Sequence, residues 1–196
     1  MGTKIEDYLG GMHPRLIFLA ISAQSALIGL FLVACGPKTS GPEAVVQQFY
    51  LELSDSGKTS GISGLPTETQ MKRLRPVISL ELDTLIETAR HAQLHFLYAY
   101  PNEKPPWIEG NLFGSLFEGQ HNFKLDEAAV KTSADGDTAR VPVNLEYHDG
   151  KHTVRWTDEV VVVKYVEGWR VSDVRYKASW DFKPGSGLRD VLKSEL

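Results

Sequence analysis

The stretch VPVNLEYHDGKHTVRWTDEVVVVKYVEGWRVSDVRY, residues 141–176, decides the fold. From Val130 onward the chain turns to a period of two, and Val141, Val143, Leu145 and Tyr147 alternate with polar residues, as in a strand with one buried face. Asp149-Gly150 interrupts the alternation with a strong two-residue hairpin signal. A turn there sets Leu145 opposite Val154 and Val143 opposite Trp156, so both strands put apolar side chains on one sheet face. A second turn at Glu167-Gly168 pairs Val162 with Asp173 and Lys164 with Val171, which extends the hairpin into a meander of curved antiparallel strands.

Upstream of the meander the period is helical. Pro42 opens EAVVQQFYLELSD, in which Val45, Phe49 and Leu53 fall four apart on one face. Ser54 to Gly64 reads as a loop, and Thr67 with Gln70, just after Pro66, makes a capping-box start for a second helix. Pro76 interrupts it. Ser79 restarts a longer helix whose apolar stripe is Leu82, Leu85, Ile86, Ala89, Phe96 and Leu97. Helices followed by such a sheet predict an α+β domain, with N-terminal helices packed on a curved antiparallel sheet.

Two sets of residues stand out as candidate sites. Continued alternation puts Trp156 and Asp158 on one face of their strand and Trp169, Asp173 and Arg175 on one face of the next. If that face lines the concavity of the sheet, three charged groups share it with two tryptophans, and buried charges persist only when paired or working. The set therefore predicts either a self-satisfied Asp/Arg pair or a ligand-binding site, and a bulge within DEVVVVKY would turn it outward. The second set lies in YPNEKPPWIEGNLFGSLFEGQHNF, residues 100–123, long and irregular for a connection in a compact domain. Trp107, Leu112, Phe113, Leu116 and Phe117 either offer an interaction surface there or plug the open end of the sheet as core.

The only cysteine has a different meaning. Residues 16–34 read LIFLAISAQSALIGLFLVA, an uncharged run preceded by Arg15 and ending in small residues just before Cys35. That is the layout of a secretory signal cut between Ala34 and Cys35. Glu6 and Asp7 fit a signal poorly, and a start at Met12 leaves the compact basic segment MHPR. A membrane-spanning helix is the rival reading, since the run nears the roughly 20 residues a bilayer needs. It is disfavoured because GPKTSGPE brings only Lys38 as a basic flank and because the sole thiol stands at the cut. The expected organisation is a signal peptide over 1–34, a lipidated Cys35 with a flexible tether over 35–41, and a domain over 42–196 outside the cytoplasm. With no second cysteine that domain cannot use a disulfide, and a net charge of −4 gives no sign of nucleic-acid binding.

The quartet Leu32-Val33-Ala34-Cys35 resembles the lipobox of bacterial lipoproteins, and the blocks AVVQQFY, LRPVISLELDTLIETA, WTDEVVVV, WRVSDVRY and GLRDVL extend the likeness along the mature chain. Together they resemble small enterobacterial outer-membrane lipoproteins of unknown function with a nuclear-transport-factor-2-like cone fold. The segment from His95 to Phe123 departs from that pattern and inherits no role from it. The resemblance implies the cone fold, acyl chains on Cys35 as the only covalent group, and an outer-membrane position facing the periplasm, which Gly36 after the cysteine also favours. It implies no established catalysis, and an accessory place beside an outer-membrane efflux duct of the TolC type. Cone-fold isomerases and cyclases keep an acid or base in the cavity, so an enzyme using Asp158 or Asp173 is the alternative. Arg175 beside such a base would lower its pKa and weaken it.

Other constellations predict little chemistry. Glu87, His91 and His95 share a helix face at zinc-like spacing, but the face lies away from the apolar stripe and HExxH is missing. His148 and His152 flank a turn, SADGDTA lacks the distal glutamate of a calcium loop, and no nucleophile elbow, phosphate loop or dinucleotide fingerprint occurs. The expectation is a binding or accessory module with no metal and no catalytic residue.

Overall fold

The computed structural model describes residues 41–54, 61–178, 180, 185–194 and 196. The predicted signal peptide over residues 1–34, its cut between Ala34 and Cys35, lipidation of Cys35 and the tether up to residue 40 all lie outside the described residues.

Three helices lead. Pro42 occupies the first turn of α1 (Pro42–Leu53), where its missing N–H leaves no bond unmade, and the helix buries Val45, Val46, Phe49, Tyr50 and Leu53. Thr67 caps α2 (Glu68–Leu74): its hydroxyl accepts from the Gln70 N–H at 3.3 Å while the Gln70 side chain accepts from the Thr67 N–H at 2.8 Å. The Ser79 hydroxyl accepts from the Leu82 N–H at 3.1 Å and starts α3 (Leu80–Ala99). This helix stops at Tyr100, because Pro101 disfavours a helical conformation in the residue before it. Its buried stripe is Leu82, Ile86 and Ala89, with Leu85 half-buried. Leu97, predicted on the stripe, is 38% exposed, while Phe96 beside it is half-buried.

The sheet is antiparallel and unclosed. Its strands are β1 (Asn122–Leu125), β2 (Lys131–Thr132), β3 (Thr138–His148), β4 (Thr153–Tyr165) and β5 (Gly168–Arg175), in the order β1-β3-β4-β5 with β2 also on β3. Strands β1 and β2 fall within and just after the stretch read as irregular, too short to show a period. α1 lies against β3, β4 and β5, α3 packs on β5, and α4 (Leu188–Lys193) fills the angle between α3 and β5. The free edge of β5 is covered: the Val171 N–H donates to the Val77 carbonyl and the Ser79 N–H to the Val171 carbonyl, both at 2.8 Å. The α+β expectation, helices packed on a curved antiparallel sheet, holds.

Both predicted turn positions shift. Asp149 Oδ1 accepts from the amides of Lys151 at 2.8 Å and His152 at 2.6 Å, which builds a four-residue loop in place of a two-residue turn. Leu145 therefore faces Trp156 and Val143 faces Asp158. The second turn is Val166-Glu167, with Gly168 at φ 122° closing it, so Val162 faces Val171. Each shift is by two residues and keeps every side chain on its predicted face. A bulge does not. Val162 pairs with Val171 but Val161 with Asp173, leaving Ser172 as an extra residue in β5. Beyond it Val174 and Tyr176 take the inward positions, and both are fully buried.

Candidate functional site

The bulge divides the predicted charged cluster. Trp156, Asp158 and Trp169 keep their inward positions, whereas Asp173 and Arg175 are turned off that face toward α4. This corrects the expectation that the three charged groups share the concavity, and its cause is the residue added at Ser172.

Asp158 is fully buried, and among the described residues no cation pairs with it. Its Oδ2 accepts from the Ser115 N–H at 2.7 Å and the Trp156 indole N–H at 3.0 Å. Its Oδ1 accepts from the Lys177 N–H at 2.9 Å and from the Ser115 hydroxyl. Four donors satisfy the carboxylate, which is how a charge survives away from water. Sequence reasoning missed Ser115, which lies 43 residues from Asp158 in a segment without a period; the one signal was that an inward aspartate on a strand demands partners.

Those bonds pin a strap, residues 100–121, across the open end of the sheet. Tyr176 donates its hydroxyl to the Leu112 carbonyl, and the Gln93 amide donates to the Pro106 carbonyl at 2.6 Å. The Trp107 indole N–H donates to the Val191 carbonyl of α4 at 3.1 Å. Trp107 has φ 52°, rare for a bulky side chain, and holds it because Leu65 N–H bonds its carbonyl at 3.1 Å while the ring is buried. Of the predicted interaction residues, Trp107, Leu112 and Phe113 are buried, Leu116 is half-buried, and Phe117 is 43% exposed. Phe113 packs edge-on against Phe49 of α1, with ring centroids 6.0 Å apart. Most of the set is plug, with Phe117 its exposed member.

Beneath the strap, Tyr50 is fully buried, and its hydroxyl has no hydrogen-bond partner among the described residues. Burial first, then the charge of Asp158 and the nearness of Tyr176, raises its pKa well above the ordinary tyrosine value. Tyr176 is raised too, by burial and then by Asp173 and Asp158. Neither phenol ionises near neutrality, so each keeps the O–H with which it can donate a hydrogen bond.

Asp173 does different work. Its Oδ1 accepts from the amides of Val174 at 2.9 Å and of Arg189, in the first turn of α4, at 3.1 Å. Its Oδ2 pairs with Arg175 Nε at 3.0 Å, and Arg175 reaches on to Asp190 at 3.0 Å. Burial raises the Asp173 pKa against the lowering effect of Arg189 N–H and Arg175. Glu87, from the zinc-like trio, is bound to Arg75 at 2.8 Å and Arg90 at 2.7 Å instead. His148 pairs with Glu146 at 2.7 Å, and His152 with Asp149 at 3.1 Å.

What the fold and this interior define is an α+β domain of helices on an unclosed sheet, its open end plugged by a strap latched to a buried carboxylate. No family model and no curated protein matches the chain. Among solved structures, the intermembrane space region of the chloroplast protein ARC6 matches at 16% identity over 67% of this chain and 90% of that one, with a TM-score of 0.37.

Proposed function

We propose that the protein is a lipid-anchored cell-envelope protein, held at the outer membrane by acyl chains on Cys35, whose domain from residue 42 works in the periplasm as a binding or accessory module. The signal-like run and lipobox before Cys35 support the anchor, and several acyl chains on one cysteine make it durable. The observation that favours binding over catalysis is the state of Asp158. A general base needs a lone pair aimed at substrate, and both oxygens of this carboxylate are spoken for by protein donors. Asp173 is likewise committed to α4. An envelope assembly such as an efflux duct of the TolC type is the proposed setting, on resemblance.

Intact mass and membrane fractionation of the protein made with its own leader, beside Cys35→Ser, test the anchor. A lipid-sized increment on a chain beginning at Cys35, lost in the variant together with outer-membrane residence, is the expected result. A full-length unlipidated chain in the inner membrane in both versions overturns it.

A further inference from the structure

We propose that His121 and His148 make the exit of the strap a pH-sensitive joint, closed at neutral pH and loosened in mild acid. Such a joint works whether or not the chain is anchored to a membrane.

The strap ends at His121, immediately before β1, and the imidazole Nδ1 of this residue accepts a hydrogen bond at 3.2 Å from the backbone N–H of His148, the last residue of β3. The two rings are stacked, with centroids 6.1 Å apart and planes 25° from parallel. The bond exists only while Nδ1 carries no proton. An imidazolium has two N–H groups and no acceptor, so a protonated His121 sets one N–H against another, and histidine is the side chain that gains its charge between about pH 8 and 5. His148 is placed to take a proton without loss. Its Nε2 donates to Glu146 Oε1 at 2.7 Å, and its Nδ1 meets the Thr153 hydroxyl at 2.9 Å. A hydroxyl gives or receives, so that second bond survives protonation by turning its hydrogen. Acid therefore charges His148 in place, removes the acceptor beside it, and sets two like charges face to face.

The other groups around the pair bear on the sign of the effect. From β3, the Tyr147 ring lies 4.8 Å from that of His121, tilted by 41°, and draws an imidazolium weakly. The Glu146 carboxylate is already shared among His148, Arg155 of β4 at 2.6 Å and Asn122 of β1 at 3.3 Å. Lys124 of β1 lines the same groove as Glu146 and Arg155 and adds positive charge. In the β3–β4 loop, Asp149 and His152 pair with each other at 3.1 Å. A lost bond together with repulsion between imidazoliums outweighs one exposed cation–π contact. The His121 N–H keeps its 2.7 Å bond to the Glu146 carbonyl, so the strap stays hinged there instead of detaching. Looseness at His121 reaches the interior two residues on, where Phe123 stacks on the buried Tyr50 with centroids 5.1 Å apart.

The test is amide hydrogen exchange on the purified full-length protein at about pH 7.5 and about pH 5.5, corrected for the pH dependence of an unfolded chain. Val160, Val161 and Val162, in the middle of β4, serve as the reference. Expected in acid is a loss of protection of about three- to tenfold at His121, Asn122, Phe123 and His148, with the reference unchanged. In His121→Asn the side-chain oxygen stands where Nδ1 stood and does not titrate, so protection should be the same at both pH values. His152→Asn leaves the joint alone and should respond as the parent does. Nitrogen-15 NMR of the histidine rings gives a reading that needs no variant: at the higher pH, His121 should carry its hydrogen on Nε2 and leave Nδ1 bare. Hydrogen on Nδ1 there, unchanged protection between the two pH values, an equal loss in His121→Asn, or a loss abolished by His152→Asn overturns the proposal.

Discussion

Asparagine at position 158 should loosen the strap, and asparagine at 173 should not. In Asp158→Asn one carboxylate oxygen becomes an NH2 group that faces donors whichever way the amide turns. Toward Oδ2 it meets the Ser115 and Trp156 N–H groups; toward Oδ1 it meets the Lys177 N–H and a Ser115 hydroxyl that can rotate to accept. The second orientation is the better one and still strands the Lys177 N–H against another N–H. One buried unmet donor costs about 1–3 kcal/mol, and turning charge-assisted bonds into neutral ones roughly halves those that remain. The sum is about 3 kcal/mol, a large share of the roughly 5–15 kcal/mol that holds a domain together. With a urea slope of about 2 kcal/mol/M the unfolding midpoint should fall by roughly 1.5 M. Asp173→Asn keeps the single oxygen that serves both Val174 and Arg189 and loses only the part-exposed Arg175 contact, for about 1 kcal/mol or less. Urea unfolding followed by tryptophan fluorescence compares the two, and hydrogen exchange reads the amides of residues 112–116. Equal losses in both variants, or unchanged strap exchange in Asp158→Asn, would refute the assignment of Asp158 as the latch.

Tyr50→Phe removes a buried hydroxyl that has no partner, so the urea midpoint should stay level or rise, by up to about 1 kcal/mol of stability; a clear fall would reveal a bond made through water. Gly110→Ala forces a side chain at φ 85° into the Phe117 ring and should cost about 1–3 kcal/mol, read as a lower melting temperature together with faster proteolysis within the strap. Acid should weaken the α2–α3 clasp. Bonds from Arg75 and then Arg90 hold Glu68 at about 2, below its ordinary 4.5. The contribution is therefore present above about pH 4.5 and lost as pH falls toward 2, and Arg75→Gln should flatten that limb of a stability–pH curve.

What could be read from the sequence was set by periodicity and caps. Val45, Phe49 and Leu53 repeat at helical spacing, Thr67 and Gln70 carry their own capping chemistry, and the alternation from Val141 to Tyr147 needs only neighbours in the chain. Turn lengths were less legible, because Asp149 chose its loop through a side chain that caps two amides, a choice that Asp-Gly alone does not encode. Even so, a slip of two residues leaves faces intact, so the fold class survived both errors. The candidate site was less forgiving. One added residue at Ser172 reverses the face of everything after it, and no local pattern in WRVSDVRY marks it, since valines at 171 and 174 are compatible with either phase. The partners of Asp158 were out of reach for another reason: Ser115 lies 43 residues away in a segment with no period, brought there by the bonds that Trp107, Leu112 and Gln93 anchor. The same bulge bears on function. By sending Asp173 to α4 and leaving Asp158 alone beneath the strap, it separates two carboxylates that side by side could have formed a coupled acid–base pair, and gives each a structural task.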